Sequence, residues 1–389
     1  MSKLYEVARI SAGQGAPQGD NNYSDKGTPF IKAGNLSQLV NGENECNIQK
    51  VSETVAEKYK LKLFPKGTIV FAKSGMSCTK GWIYELQREC YVVNHLACIE
   101  PTKIFPGYLK YFFRYNQPNR LIKDESYPSI SLVDISNMEI PSLPIEEQKK
   151  IAEILDKASN LISLRKKQIE KLDLLVKARF IDIFGSLGAN ALGWDEKLLE
   201  DIADDQDSIK CGPFGTQLSK DEYVKTGVPV WGIPQINSDF TKWPLDYVTE
   251  EKKEKLISYL IKPYDIVMSR KGNVGKCAIY PKSYPLGILH SDALRIRVNT
   301  KIVNPLFLKQ QLHDSPSIEH QIGIVSSGAI MAGINVTKLK KILIHVPPIE
   351  LQNQFADFVQ QVEKQKEQLQ QGLEKLELTY KALMQQYFN

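Results

Sequence analysis

The chain has 389 residues, 42% hydrophobic and 24% charged, with a formal net charge of +5, which is a soluble globular composition long enough for two to three domains. No apolar run approaches the roughly 18 residues of a membrane span, and Met1–Ile10 lacks a signal peptide's apolar core, so a cytoplasmic protein is expected. The six cysteines form no CxxC pair and no zinc spacing, so they read as reduced thiols.

In chain order, residues 1–143 read as one compact unit. Lys3–Ile10 is a short strand or helix start, and Ser11–Thr28, rich in Gly, Asn, Asp and Gln, reads as an extended surface loop. A strand is expected from Phe30, ending at Ala33-Gly34-Asn35, and a turn with a buried strand over Phe64–Lys73. Ser74–Gly81 is a basic loop, Trp82–Tyr84 and Tyr91–Ile99 continue in β character, and Pro106–Arg114 reads as a short helix with an aromatic core face. Tyr127–Ser131 is a further polar loop.

From Ile145 to Phe184 there is no Gly and no Pro. Pro144 suits a first helical turn, Glu146 and Glu147 complement the helix dipole, and Gly185 supplies a stop. Ile151, Leu155, Ala158, Ile162, Arg165, Ile169, Leu172, Val176, Arg179 and Ile183 recur in steps of four and three, a heptad seam with two basic interruptions. At about 1.5 Å per residue this helix is about 60 Å long.

After Ser186–Leu192, a small-residue linker, the order repeats. Lys197–Ala203 matches Ser2–Ala8, Pro229 matches Pro29, Asp265–Gly272 matches Thr68–Gly75, His290–Ala293 falls where Asn94–Ala97 falls, and Asn304–Lys309 matches the start of the aromatic helix. The C-terminal stretch repeats the first long helix at a shift of 204 positions, Pro144 onto Pro348, Gln148 onto Gln352 and Phe184 onto Phe388. Its seam, Phe355 to Tyr387, keeps the heptad phase with Lys366 as the interruption. This is an internal duplication, and each narrow seam is the natural partner of the other.

Basic, Gly-containing loops recur at the end of the same strand in each copy, at Lys73–Lys80 and Arg270–Lys276. Gly lets backbone approach a phosphate, Lys and Arg neutralise it, and Asn, Ser, His and Arg read base edges. A solvated hairpin tip explains one such loop as well; two in corresponding places favour DNA. Enzyme motifs fail in turn. Gly272-Asn-Val-Gly-Lys276 has the wrong spacing for a P-loop, and there is no dinucleotide fingerprint, no His-Glu-x-x-His and no amino-methyltransferase tetrapeptide. No catalytic residue, metal ligand or cofactor site is expected.

Leu143-Pro-Ile-Glu-Glu-Gln-Lys-Lys-Ile-Ala152, its echo from Val346, and Ile209-Lys-Cys-Gly-Pro-Phe-Gly-Thr-Gln-Leu218 resemble the specificity subunits of Type I restriction-modification enzymes over essentially the whole chain. The first domain's corresponding Ser11–Gln18 departs from the Gly-Pro-Phe-Gly pattern. The resemblance implies an α+β protein with a pseudo-twofold repeat. Target-recognition domains at 1–143 and 186–346 would be separated by long antiparallel helices at 144–185 and 347–389. It further implies a bipartite double-stranded DNA target, docking to two methyltransferase subunits and then restriction subunits, and no catalytic centre in this chain. The DNA-contacting residues it suggests are Lys32, Asn35, Lys73, Ser74, Lys80, Asn94, His95, Tyr127 and Ser129 in the first domain. In the second they are Lys210, Phe214, Gln217, Gln235, Asn237, Arg270, Lys271, Asn273, Lys276, His290 and Ser291. The competing class is a coiled-coil scaffold that binds proteins; a nuclease is disfavoured by the missing motifs.

Overall fold

The computed structural model describes residues 1–185, 190, 192–326 and 333–389. Most of the expected Ser186–Leu192 linker lies outside the described residues. Two compact units emerge. The first comprises residues 1–166 together with 371–389, and the second residues 167–370.

In the first unit, Ala8–Ala12 pairs antiparallel with Leu96–Pro101, which pairs with Ile69–Ala72, which in turn pairs with Tyr84–Glu85. Ile69–Ala72 is buried throughout, because this short apolar run is sandwiched on both faces. The aromatic helix Pro106–Tyr115 covers it, with Tyr108, Leu109, Tyr111, Phe112 and Phe113 inside. A second sheet places Thr28–Ile31 between Lys50–Val51, antiparallel, and Tyr91–Val92, parallel. The strand from residue 28 ends at Ile31, earlier than expected, and a helix begins at Asn35. The Asn35 side chain explains the break: its Oδ1 accepts the Lys32 N–H at 2.8 Å, a local bond that competes with strand extension.

The second unit repeats this plan. Ile209–Cys211, Ala293–Ile296, Ile266–Ser269 and Cys277–Ile279 form one sheet in that order. Val228–Trp231 lies between Tyr247–Val248, antiparallel, and Gly287–Leu289, parallel, which also pairs with Leu260–Ile261. Ile266 faces Ile296 as Ile69 faces Ile99, a common shift of 197. Ser269 faces Ala293 as Ala72 faces Leu96, so His290 stands with Val93 and Asp292 with His95. The sequence match sets His290 against Asn94, one place off. Strand alternation makes such a slip consequential, since it exchanges the two faces.

Ile145–Phe184 and Ile349–Phe388 are both continuous helices of 40 residues. Within each unit they run antiparallel. Lys166 pairs with Glu377 at 2.8 Å in the first unit, and Lys366 pairs with Asp173 at 2.6 Å in the second. Lys366, the polar interruption of its seam, therefore meets a carboxylate on the facing helix. Towards each helix end the buried stripe moves off the expected seam by one residue, to Phe180 and Phe184 in place of Arg179 and Ile183, and to Met384 and Phe388 in place of Leu383 and Tyr387. A straight helix drifts by about 20° per heptad, and here the last turns pack on a globular core as well as on a helix.

The repeated glutamine of the helix signature has a defined task. Gln148 accepts the Phe105 N–H at 2.8 Å and donates to Leu143 O at 2.8 Å. Gln352 accepts the Asn304 N–H at 2.9 Å and donates to Pro347 O at 2.7 Å and Ile302 O at 3.2 Å. Both are buried, so each clamps a long helix to the start of the short helix beneath it. Gln352→Leu strands these groups and is expected to destabilise the chain by about 1–3 kcal/mol, read from the midpoint of urea unfolding. An unchanged midpoint would remove the clamp.

Candidate nucleic-acid interface

In the first domain the expected loops converge. The parallel pair formed by Thr28–Ile31 and Tyr91–Val92 ends on one side of the sheet, so Lys32 and Asn94-His95 emerge there together, with the Val93 N–H bonded to Ile31 O. The Lys73 N–H donates to His95 O at 2.9 Å, and the Ser74 Oγ and His95 Nδ1 are hydrogen-bonded at 2.8 Å. Ser74 bridges to Ser129, while the Gly75 N–H reaches Pro128 O and the Ile130 N–H reaches Lys73 O. Lys73, Ser74, Asn94, His95, Tyr127 and Ser129 thus share one surface, with Asn94, His95, Tyr127 and Ser129 exposed. Lys32 lies with its ammonium 4.0 Å over the Tyr23 ring and 3.0 Å from Gln49 Oε1, partners that sequence spacing does not disclose. Asn35 is spent on the Lys32 backbone. Lys80 ends the short 3-10 turn Met76–Lys80 and is exposed.

The second domain uses the same backbone frame with other side chains. The Arg270 N–H donates to Asp292 O and the Ile334 N–H to Arg270 O, matching the bonds of Lys73 to His95 and Ile130. A cleft of about 670 Å³ is lined by Lys210, Phe214, Tyr259, Arg270, Lys271 and Lys338 among others. Lys210 is held by Asp207 at 2.8 Å and lies 4.8 Å over the Tyr259 ring; Lys271 is held by Asp292 at 2.7 Å. Gln217 Oε1 accepts the Phe214 N–H and the Tyr259 hydroxyl, which fixes the loop over the cleft. Tyr259 and Lys338 escape a reading of the sequence because nothing in their surroundings there marks them. His290 and Ser291 sit on the turn after Gly287–Leu289, where His290 Nδ1 accepts the Asp292 N–H at 3.1 Å. Asn237 ends the short helix Ile233–Asn237 and Asn273 lies in a loop, and both are exposed.

Two expected residues lie elsewhere. Gln235 is buried, its Oε1 accepting the Gly232 N–H, so it shapes the loop. Lys276 lines a different cleft, with His313, Lys309 and the long-helix residues Asp173 and Lys366, and its ammonium stands 3.8 Å from Asp239. The loop turns back at Gly275, which carries Lys276 away from Arg270.

Glycine is required where each loop begins. A Cβ on Gly13 would lie 2.2 Å from Val92 O, and one on Gly212 would lie 2.3 Å from His290 O. Both sheets cross over at these points with the backbones in contact. No thiol in the neighbourhood is primed as a nucleophile. Burial pushes Cys90, Cys98 and Cys211 upward, and Cys277 to about 11, which keeps them protonated.

A family model described as Type I restriction modification DNA specificity domain matches the chain twice, over residues 1–174 and 192–378. The chain belongs to that family. It is a specificity subunit of a Type I restriction-modification system, and the two matches are the two copies of the duplicated unit. It is similar to the putative type I restriction enzyme MjaX specificity subunit of Methanocaldococcus jannaschii, 26% identical over 357 residues, covering 85% of this chain and 80% of that one. The MjaVIII specificity subunit of the same organism is 23% identical, covering 80% and 74%. The crystal structure of the S subunit from M. genitalium shares the fold with TM-score 0.61 at 15% identity, covering 100% of this chain and 95% of that one. A structure from work on assembly and conformational transition of the type I system shares it with TM-score 0.57 at 16% identity, covering 100% and 97%. The specificity subunit's sequence-specific DNA binding accounts for a paired scaffold that carries different loops. Among the described residues, no helix is long and apolar enough to cross a membrane.

Proposed function

We propose that residues 1–143 and 186–346 are two target-recognition domains, each reading one half of a bipartite double-stranded DNA target in the cytoplasm. The helices at 144–185 and 347–389 set the unread gap and dock two methyltransferase subunits, to which restriction subunits are added. The chain itself carries no catalytic step. The observation that supports this most is the shared backbone frame: Lys73 and Arg270 occupy equivalent positions, yet their side chains and neighbours differ. A duplicated reader of two unlike half-sites needs that combination, whereas a scaffold binding two copies of one partner would keep the loop chemistry alike. Exposed apolar side chains off the seam, Ile154, Leu161 and Leu164 in the first unit and Leu174, Leu175 and Ile181 in the second, support docking of protein along the first long helix.

The test is selection of duplexes from a random library by the complex purified with this chain. A split motif is expected, and exchanging residues 73–80 should change one half only. Enrichment of no motif, or methyl transfer by the chain freed of partners, would falsify the assignment.

A further inference from the structure

We propose that the second domain reads a guanine through Arg270, and that Phe214 is the positioning residue that aims it; this rests on the DNA-reading assignment of that domain. The Arg270 guanidinium lies 4.8 Å over the Phe214 ring, and its Nε donates to Ile334 O at 3.0 Å. A planar cation held by a ring face and by an anchored Nε has lost most of its rotational freedom. The terminal Nη1 and Nη2 have no hydrogen-bond partner and no carboxylate among the described residues, whereas neighbouring Lys210 and Lys271 each have one. The side chain therefore presents two parallel N–H donors from the wall of an open, basic cleft. In the major groove only guanine offers two acceptors, N7 and O6, side by side on one base; adenine sets a donor beside its N7.

The platform is particular to this domain. The Gly212 N–H bonds to Ala293 O as the Gly13 N–H bonds to Leu96 O, which aligns Phe214 with Gly15. Where the second domain has arginine on phenylalanine, the first has Lys73 with no ring beneath it at that place. Arginine and its platform are present together or absent together, as expected if the ring serves the guanidinium. Phe214 is 46% exposed, more than a ring kept for core packing would be.

The experiment uses the full chain in its native complex and the duplex that complex selects, with each guanine of the second half-site replaced in turn by 7-deazaguanine. One position should weaken binding on the order of tenfold in the wild type. That sensitivity should vanish in Arg270→Ala and be reduced in Arg270→Lys, which keeps the charge and the salt slope but loses the planar pair of donors. Phe214→Ala and Phe214→Leu should reduce it, with Phe214→Tyr restoring it; the leucine variant keeps apolar volume and guards against a folding defect. If no guanine shows N7 sensitivity, or if Arg270→Ala weakens all sequences equally and lowers the salt slope by about 1, Arg270 holds a phosphate and the proposal is overturned. If Phe214→Ala leaves the sensitivity intact, the platform role fails. A wild-type complex that selects no split motif would defeat the DNA-reading assignment itself, a different result from either.

Discussion

Four residues added to both long helices, after Glu170 and after Gln370, are expected to lengthen the unread gap in the DNA target by about one to two base pairs. These points lie between the Lys166–Glu377 and Asp173–Lys366 pairs, so each pair stays on its own side of the insert. In a continuous helix four residues add about 6 Å and turn the remainder of the helix by about 40°. DNA advances about 3.4 Å and turns roughly 35° per base pair, from its repeat of about 10–10.5 base pairs. The rotation matches one base pair and the translation lies between one and two. Seven residues keep the seam in phase but add about 10.5 Å with almost no net rotation. That length asks for about three base pairs, whose roughly 100° of twist the protein does not match, so binding is expected to fail at every gap. Binding to duplexes differing only in gap length decides the matter. A four-residue insert that still prefers the parental gap would end the idea that the helices measure DNA.

The second large effect is on stability. Arg297 donates through Nε and Nη2 to the two oxygens of Asp265, at 2.7 and 2.6 Å, and Asp265 is 2% exposed. The Lys262 N–H adds a third bond to that carboxylate. Arg297→Ala leaves a buried charge with its main partner gone, and should destabilise the second domain by about 3–5 kcal/mol. Adding Asp265→Asn to it removes the stranded charge and is expected to recover part of the loss. Unfolding by urea, monitored in both variants, tests this; equal stability of Arg297→Ala and wild type would mean that the pair contributes nothing. The first domain solves the same place differently, with Thr68 where Asp265 stands and Glu100 where Arg297 stands.

The helices and the repeat are legible in the sequence because they rest on period and phase, which survive divergence. Ile145–Phe184 has the bounds that Pro144 and Gly185 imply. Ile69–Ala72 and its copy are legible as short apolar runs. The loops are less so. Asn35 and Gln235 look like reading residues by type, yet each bonds its own loop backbone, a use that composition does not distinguish from DNA contact. Lys276 comes after a glycine whose positive φ redirects it, and one residue of slip moves His290 off its true counterpart. A family motif marks Phe214, but its partnership with Arg270 joins residues far apart in the chain and is visible only in three dimensions.

The exchange of helix ends has a consequence for how the protein is made. Phe388 packs its ring 5.0 Å from Tyr108 and within 6.3 Å of Phe112 and Tyr115, and Met384 joins the same core. During synthesis the second unit, residues 167–370, leaves the ribosome as an uninterrupted stretch. The first unit, begun earlier, waits for residues 371–389 to complete it. The older half of the molecule thus closes after the younger one, and until residues 371–389 are made the rings of Tyr108, Phe112 and Tyr115 lack their Phe388 partner.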